Sequence, residues 1–233
     1  MADIRPGNIL TSKTPLPELP ESWQGKPFIE ILFNLCKIGL QKHPEQEWLR
    51  DGQTGKVLFL KDMESKCVKV AKVLSSYGLK EGETVHIVMP NCVEFHVTVF
   101  AVWLLGGITS LADPSLRSNV LLQQIKDIKA PFTICHSNHE LNVSGLTKNI
   151  ITLENVFESN LELEMTNDVE PDFSMAKRMM DETLVIFWSS GTTGRPKGIA
   201  HGINFFLRTL VKSDFPPATL LQTVQFLLSK ALI

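Results

Sequence analysis

Hydrophobic residues recur at helical spacing in two stretches near the start of the chain. Residues 28–42 carry one of these patterns and residues 61–77 carry the other, and we predict a helix over each. Gly78 follows the second stretch and is typical of a helix end. Between the two helices, the apolar runs 48–50 and 57–59 flank a turn that contains glycine, which predicts a short pair of strands.

From residue 84 onwards, apolar runs alternate with helical patterns. The predicted strands are 84–89, 108–111, 131–135 and 183–188, and the predicted helices between them are 92–105 and 117–128. Strands that alternate with helices indicate βαβ units. We therefore predict an α/β fold, in which a parallel sheet is flanked by helices on both faces.

The apolar stretch 95–112 requires a test for a membrane-spanning helix. It carries no Asp, Glu, Lys or Arg over 18 residues, which is near the lower limit of length for a span. However, His96 and other polar residues interrupt it, and the pair Gly106-Gly107 falls where a core helix would end and a strand would begin. We therefore predict a buried helix followed by a strand, and no transmembrane segment.

Composition and charge restrict the class of protein. Hydrophobic residues make up 43% of the 233 residues and charged residues 21%, which is typical of a folded soluble chain. The 23 Lys and Arg against 25 Asp and Glu leave a net charge of −2, which favours neither nucleic acid nor an anionic membrane as a partner.

Four widely spaced cysteines and the lack of a signal peptide predict buried, reduced thiols and a cytoplasmic protein. The ending 231–233 differs from the Ser-Lys-Leu signal of peroxisomal proteins.

Directly after the predicted strand 183–188 comes a loop rich in glycine and hydroxyl groups. Residues 189–198 read Ser-Ser-Gly-Thr-Thr-Gly-Arg-Pro-Lys-Gly. Glycines let backbone N–H groups approach an anion closely, hydroxyls add donors, and Lys197 adds a positive charge. The loop therefore predicts a polyphosphate site, although its spacing fits neither the Walker A loop nor the G-x-G-x-x-G motif. The alternative is a flexible linker, which would rarely carry Pro-Lys-Gly directly behind a buried strand.

Three histidines are candidates for a metal ligand or a phosphate ligand. His136 and His139 follow a predicted strand, and we interpret them as part of a surface loop, because no third metal ligand is near them in sequence. His201 lies just past the loop, and we interpret it as a structural or exposed residue rather than a phosphate ligand.

The loop 189–198 closely resembles the signature phosphate loop of the adenylate-forming superfamily. This superfamily includes acyl-CoA synthetases, coumarate–CoA ligases and firefly luciferase. Segments 70–85, 90–95 and 106–114 are similar to the first helix, turn and strand of the superfamily and to its next βα unit. Asp113-Pro114 resembles the coumarate ligase and luciferase-like branch, in which Asn-Pro is usual.

The resemblance implies a reaction and a set of binding residues. In this superfamily ATP and a small-molecule carboxylate give an acyl-adenylate and pyrophosphate with the help of Mg²⁺, and a thiol, usually coenzyme A, then takes the acyl group. Gly198, with Gly194, would supply backbone freedom. The resemblance assigns no catalytic residue and no metal ligand in this chain. Carried over to this sequence, it implies that the ATP phosphates are held by Ser189, Ser190, Gly191, Thr192, Thr193, Gly194 and Lys197.

We expect three parts along the chain. Residues 1–27 hold five prolines and predict an extended lead-in, and residues 28–223 form a partial adenylation domain. Residues 151–182 hold nine acids against Lys177 and Arg178 and are interpreted as a solvated connection rather than an acidic binding tail. Residues 224–233 depart from the pattern of the superfamily and are expected to form a divergent tail.

Two further expectations follow from that tail. The later motifs of the superfamily and its mobile C-terminal domain are not recognisable in these residues, so we expect the chain not to form acyl-adenylate by itself. The alternative to a ligase is an inactive fragment that binds nucleotide weakly or acts as a regulatory or non-functional isoform. Leu228 and other apolar tail residues, Leu220, Leu221, Phe226, Leu227 and Leu232, are expected to lack partners, which predicts self-association through the tail.

Overall fold

The structure, a computed structural model, covers most of the chain between residues 18 and 212. It describes residues 18–139, 143–145, 147, 149–158, 171–176, 182–189, 196–212, 224 and 228. Its helices are α1 (Phe28–Lys42), α2 (Met63–Ser76), α3 (Val93–Leu104), α4 (Ser118–Ile128), α5 (Leu153–Phe157) and α6 (Ile203–Lys212). Its strands are β1 (Glu47–Arg50), β2 (Val57–Phe59), β3 (Thr84–Val88), β4 (Ile108–Ala112), β5 (Phe132–Cys135), β6 (Asn149–Thr152), β7 (Thr183–Ser189) and β8 (Lys197–Gly202).

Six of these strands form one sheet in the order β6-β5-β3-β4-β7-β8. The pairs from β6 across to β7 are all parallel, and β8 returns antiparallel to β7. Strands β1 and β2 pair with each other in a separate antiparallel sheet. The predicted α/β fold with its parallel sheet is therefore confirmed, and the antiparallel strand β8 is an addition that the hydrophobic pattern did not predict.

Helices cover both faces of the large sheet. On one face, α1, α2, α3 and α6 enclose the larger core, where the rings of Phe28, Trp103 and Phe206 lie with their centroids 5.5 to 5.8 Å apart. On the other face, Leu121 of α4 packs against Val88 and neighbouring side chains of the sheet. This arrangement explains the near-continuous apolar runs of the central strands, because a parallel sheet is buried on both sides.

The apolar stretch 95–112 forms a helix and a strand, as predicted. Helix α3 is buried on every side, and Gly106 and Gly107 separate it from β4. The Trp103 indole Nε1 donates to Thr109 Oγ1 and to the Leu184 carbonyl, each at 3.1 Å, which ties the helix to β4 and β7. In the ranges that the structure describes, none of the helices combines the length and the apolar character that crossing a bilayer requires.

The acidic segment is less solvated than the sequence predicts. Its start forms the edge strand β6 and helix α5, whose Val156 is fully buried. Further on, Phe173 packs against the larger core and Ala176 is 2% exposed. A short apolar run beside many acids gives too little pattern for a strand to be recognised, which is why the interpretation as a surface connection was wrong for these parts. Residues 159–170 and 177–181 lie outside the described residues.

Two residues of the predicted tail also belong to the core. Val224 and Leu228 are both 0% exposed and pack in the larger core. The expectation that Leu228 lacks a partner is therefore wrong, because this side chain is buried among the apolar residues of the larger core. Self-association through the tail gains no support from these two residues. The other tail residues on which it rested lie outside the described residues.

None of the four cysteines, all of which lie in the described ranges, forms a disulfide bond. Cys36, Cys67 and Cys135 are buried, as expected for core residues, whereas Cys92 is half-buried at the start of α3. Burial raises the pKa of the Cys92 thiol to about 11, so the thiol is protonated near neutral pH. The prediction of buried core thiols is thus confirmed for three of the four.

Two histidines are buried inside the fold. His86 on β3 is 0% exposed and His96 on α3 is 3% exposed. Burial lowers the pKa of His86 to about 3. It also lowers the pKa of His96 to about 4, against a smaller opposing contribution from the hydrogen bond with the Cys92 carbonyl. Both rings are therefore neutral in the folded protein near pH 7.

This burial predicts that the protein loses stability in mild acid. In the unfolded chain both rings take up a proton below their ordinary pKa of about 6.5, whereas in the folded protein they stay neutral until about pH 4 or below. Stability is therefore complete above pH 6.5 and falls as the pH is lowered, by about 1 kcal/mol for each histidine between pH 7 and pH 5.5.

Urea titration at the two pH values measures this loss. Replacing His96 by glutamine should remove about half of the pH dependence, since one of the two titrating groups is gone. A free energy of unfolding that is equal at the two pH values would contradict the burial of both rings.

Candidate functional site

The loop predicted to bind polyphosphate connects β7 to β8. Ser189 closes β7 and Lys197 opens β8, and the two residues pair in the antiparallel register. The Ser189 hydroxyl also faces the Lys197 carbonyl, with the two oxygens 3.5 Å apart. The structure thus brings the two ends of the loop together, at the edge of the sheet where the parallel strands have their carboxyl ends. In open α/β sheets, ligands bind outside this edge.

Only part of the predicted site lies within the described residues. Ser189 and Lys197 are described and lie side by side. The other predicted phosphate-binding residues, Ser190, Gly191, Thr192, Thr193 and Gly194, lie outside the described residues. Their contacts with phosphate stay a prediction from the sequence.

The side chain of Lys197 is exposed at the start of β8. No carboxylate in the described part of the chain forms an ion pair with its ammonium group. An exposed ammonium on the residue that pairs with Ser189 suits a phosphate oxygen, because hydrogen bonds that involve a charged group are about twice as strong as neutral ones.

Gly198 is required for close packing rather than for an unusual backbone conformation. It pairs with Trp188 across the hairpin. A Cβ atom at Gly198 would lie 3.1 Å from Cγ2 of Ile186 and 3.4 Å from two carbons of the Trp188 ring. Its φ lies outside the left-handed region, so the expectation that it supplies backbone freedom is wrong. The tight distance is the one to the Ile186 methyl group, whereas 3.4 Å from the Trp188 ring is ordinary van der Waals contact and shows that the indole lies against β8 at Gly198.

Helix α4 faces the same end of the hairpin. A cavity of about 250 Å³ lies between them, with Trp188 and Pro196 on one wall and Gln123, Gln124 and Asp127 on the other. Gln124 is 2% exposed, and its Oε1 has no hydrogen-bond partner among the described residues. Trp188 and Pro196, the residues that directly precede Ser189 and Lys197, therefore border a partly polar space.

The histidines considered from the sequence do not join this site. The His201 ring packs against Phe187 and Phe205 in tilted arrangements, at centroid distances of 5.1 and 4.4 Å, and desolvation lowers its pKa. His136 Nδ1 lies 3.1 Å from a Glu154 carboxylate oxygen. Within the ranges described, no group of His, Cys, Asp or Glu side chains is arranged to hold a metal ion. The placement of His136 and His201 agrees with their interpretation as surface and structural groups, whereas the side chain of His139 lies outside the described part of the structure.

Two residues near the loop were missed in the sequence. His86 on β3 and Ser110 on β4 are both 0% exposed and hydrogen-bond to each other at 3.1 Å. The available signal was a polar residue within each apolar strand, since a buried polar side chain requires a partner. Sequence alone does not identify that partner, because the two residues come together only through the pairing of β3 with β4.

Comparison with known proteins gives consistent results. The family model for AMP-binding enzyme matches residues 38–227. The chain is similar to 4-coumarate-CoA ligase 1 of Narcissus pseudonarcissus, with 29% identity over 178 residues, covering 72% of this chain and 32% of the relative. It is also similar to 4-coumarate--CoA ligase 3 of Arabidopsis thaliana, with 27% identity over 198 residues, covering 78% and 35%. The chain thus spans about a third of the length of these relatives.

Solved structures share the fold. The inhibitor-bound N-terminal domain of FACL13 from Mycobacterium tuberculosis superposes with a TM-score of 0.69 at 18% identity, covering 89% of this chain and 55% of that one. The luciferase-like enzyme of Zophobas morio superposes with a TM-score of 0.66 at 21% identity, covering 84% and 47%. At these identities the likeness establishes the fold and not the activity.

Proposed function

The chain belongs to the AMP-binding enzyme family, and on that basis we propose that it provides the N-terminal, phosphate-binding part of an ATP-dependent carboxylate–CoA ligase. The observation that carries this proposal is the pairing of Ser189 with Lys197 at the carboxyl edge of the sheet. Relatives named as 4-coumarate–CoA ligases support a small carboxylic acid as the second substrate.

In the proposed reaction a carboxylate oxygen attacks the α-phosphorus of ATP. The bond to the β-phosphate oxygen breaks, which gives acyl-adenylate and pyrophosphate. The thiol of coenzyme A then attacks the acyl carbon and releases AMP. The part of this chain is to hold the β- and γ-phosphates at the loop, where Lys197 neutralises the charge of the departing pyrophosphate.

Mg²⁺ and coenzyme A are implied by the family resemblance. The described residues offer no group of metal-ligating side chains, so none of them is proposed as a Mg²⁺ ligand. No described residue is assigned to coenzyme A. A cytoplasmic location also stays a prediction.

The proposal predicts that the triphosphate, and not the nucleoside, dominates binding. Calorimetric titration should show ATP bound about tenfold or more tightly than AMP, because AMP lacks the two phosphates that the loop contacts. Inorganic tripolyphosphate should compete with ATP. Equal affinities for ATP and AMP would contradict the proposed role of the loop.

A second candidate is nucleotide binding without ligation. It requires only the phosphate loop, whose two described ends, Ser189 and Lys197, lie side by side. Pyrophosphate exchange separates the two functions: exchange that depends on an added aromatic or fatty acid supports the ligase. ATP binding without exchange supports the second candidate.

A further inference from the structure

Three side chains on three neighbouring strands form a buried hydrogen-bond chain that ends beside the loop. The Trp188 Nε1 on β7 donates to Ser110 Oγ on β4 at 2.9 Å. Ser110 Oγ lies 3.1 Å from His86 Nδ1 on β3. His86 and Ser110 are directly paired in the parallel register, so the chain runs across the sheet towards the hairpin.

The chemistry of the groups fixes the direction of the hydrogen bond between Trp188 and Ser110. An indole N–H only donates, so the Ser110 oxygen accepts from Trp188 and its own hydrogen remains to be donated. His86 is neutral because burial lowers its pKa to about 3. With its proton on Nε2, the His86 Nδ1 accepts from the Ser110 hydroxyl; with its proton on Nδ1, it donates to the Ser110 oxygen. In both tautomers the indole N–H has the Ser110 oxygen as its acceptor, which favours one orientation of the indole, whereas His86 Nε2 has no hydrogen-bond partner among the described residues.

The Trp188 indole is also in contact with the far side of the loop. Its ring lies against Gly198, where an added Cβ would approach two ring carbons to 3.4 Å. Trp188 directly precedes Ser189, and Gly198 directly follows Lys197. One side chain thus contacts the strands on both sides of the loop and is anchored to the interior of the sheet.

We propose that Trp188 and Ser110 are positioning residues: their hydrogen bond fixes the indole and thereby sets the spacing between Ser189 and Lys197 that a polyphosphate requires. This inference rests on the proposed function. Groups that bind a ligand must be held to within about half an ångström of their working positions, by neighbours whose own conformations are locked. The hydrogen-bond chain and the contact with Gly198 hold the Trp188 side chain in place next to the two described ends of the loop.

Replacing Trp188 by phenylalanine tests the inference. This variant removes the indole N–H but keeps an aromatic ring near Gly198. We expect the affinity for inorganic tripolyphosphate to fall about 3- to 10-fold, in line with the loss of one hydrogen bond of a buried group. Ser110→Ala should weaken binding to a similar extent. The double variant should bind no more weakly than the weaker single variant, because both changes break the same link.

Thr133→Val provides a matched control. Thr133 pairs with His86 on the other side of β3 and is equally buried, and its hydroxyl has no hydrogen-bond partner among the described residues. Removing this hydroxyl leaves the contacts of Trp188 intact, so tripolyphosphate affinity should be unchanged. A purely structural role for Trp188 predicts instead a lowered melting temperature with unchanged affinity, and that result would overturn the inference.

The outcomes separate the inference from the proposed function. If the unmodified chain binds tripolyphosphate and Trp188→Phe binds it equally well, the inference fails and the proposed function stands. If the unmodified chain does not bind tripolyphosphate, the proposed function fails. The inference is then tested by the chemical shifts of backbone amides. Shifts at Ser189 and Lys197 in Ser110→Ala, which leaves the indole in place, would support it, whereas shifts confined to Trp188 and His86 would overturn it.

Discussion

Replacing Gly106 by alanine is expected to lower the free energy of unfolding by about 3 kcal/mol or more. Gly106 has a φ of +70°, in the left-handed region that disfavours a side chain. An added Cβ would also lie 2.1 Å from the carbonyl oxygen of Met175. Because this obstacle is backbone, it cannot move away by a side-chain rotation, and the segment around Met175 would have to shift.

Gly78→Ala is the matched control for this prediction. Gly78 also has a positive φ, of +87°, but no atom lies within 4 Å of the position of its Cβ. Alanine there should cost about 1 kcal/mol, from backbone strain without a collision. Urea unfolding followed by circular dichroism compares the two variants. Equal losses would show that residues 171–176 do not pack against the turn as the structure places them.

Lys197→Ala is expected to weaken tripolyphosphate binding about 30-fold, which corresponds to the loss of a hydrogen bond to a charged group. The side chain is exposed, and none of the described carboxylates pairs with it, so its charge is available to the ligand. The loss should be larger than for Ser190→Ala, because a hydroxyl supplies only a neutral donor. Calorimetric titration at fixed ionic strength measures both.

Lys126→Ala controls for the change in net charge. Lys126 is also exposed and lies in the last turn of α4, so its removal changes the net charge equally. If tripolyphosphate binding depends on overall charge, both variants should weaken it alike, and the assignment of the loop would be wrong. Little change for Lys126→Ala beside a large loss for Lys197→Ala would confirm a local contact.

Helices and buried strands of this protein are predictable from the sequence, because their signal is local. The apolar positions of α1 repeat at the helical period, and the helix has the predicted bounds, Phe28–Lys42. The pair Gly106-Gly107 separates α3 from β4 as expected. The phosphate loop is also recognisable locally, because glycines, hydroxyls and a lysine are concentrated directly behind one strand.

Strand β8 cannot be predicted from the local pattern of apolar and polar residues. Four of its six residues, Lys197 to Ala200, are exposed, so no alternation of apolar and polar side chains marks it. Its structure comes from hydrogen bonds to β7 across the loop, and these bonds involve backbone groups that every residue carries. Burial of Leu228 is likewise decided by where the chain returns in space, and not by the residues next to it.

Three features can be predicted from the sequence alone: the α/β class, the order of the main elements, and the loop that carries Ser189 and Lys197. The tertiary structure alone decided that His86, Ser110 and Trp188 meet, although Ser110 and Trp188 are 78 positions apart. The physical reason is that hydrophobic periodicity reports the environment of a residue within its own element. A hydrogen bond between strands depends instead on register and strand order, which the packing of the whole sheet determines.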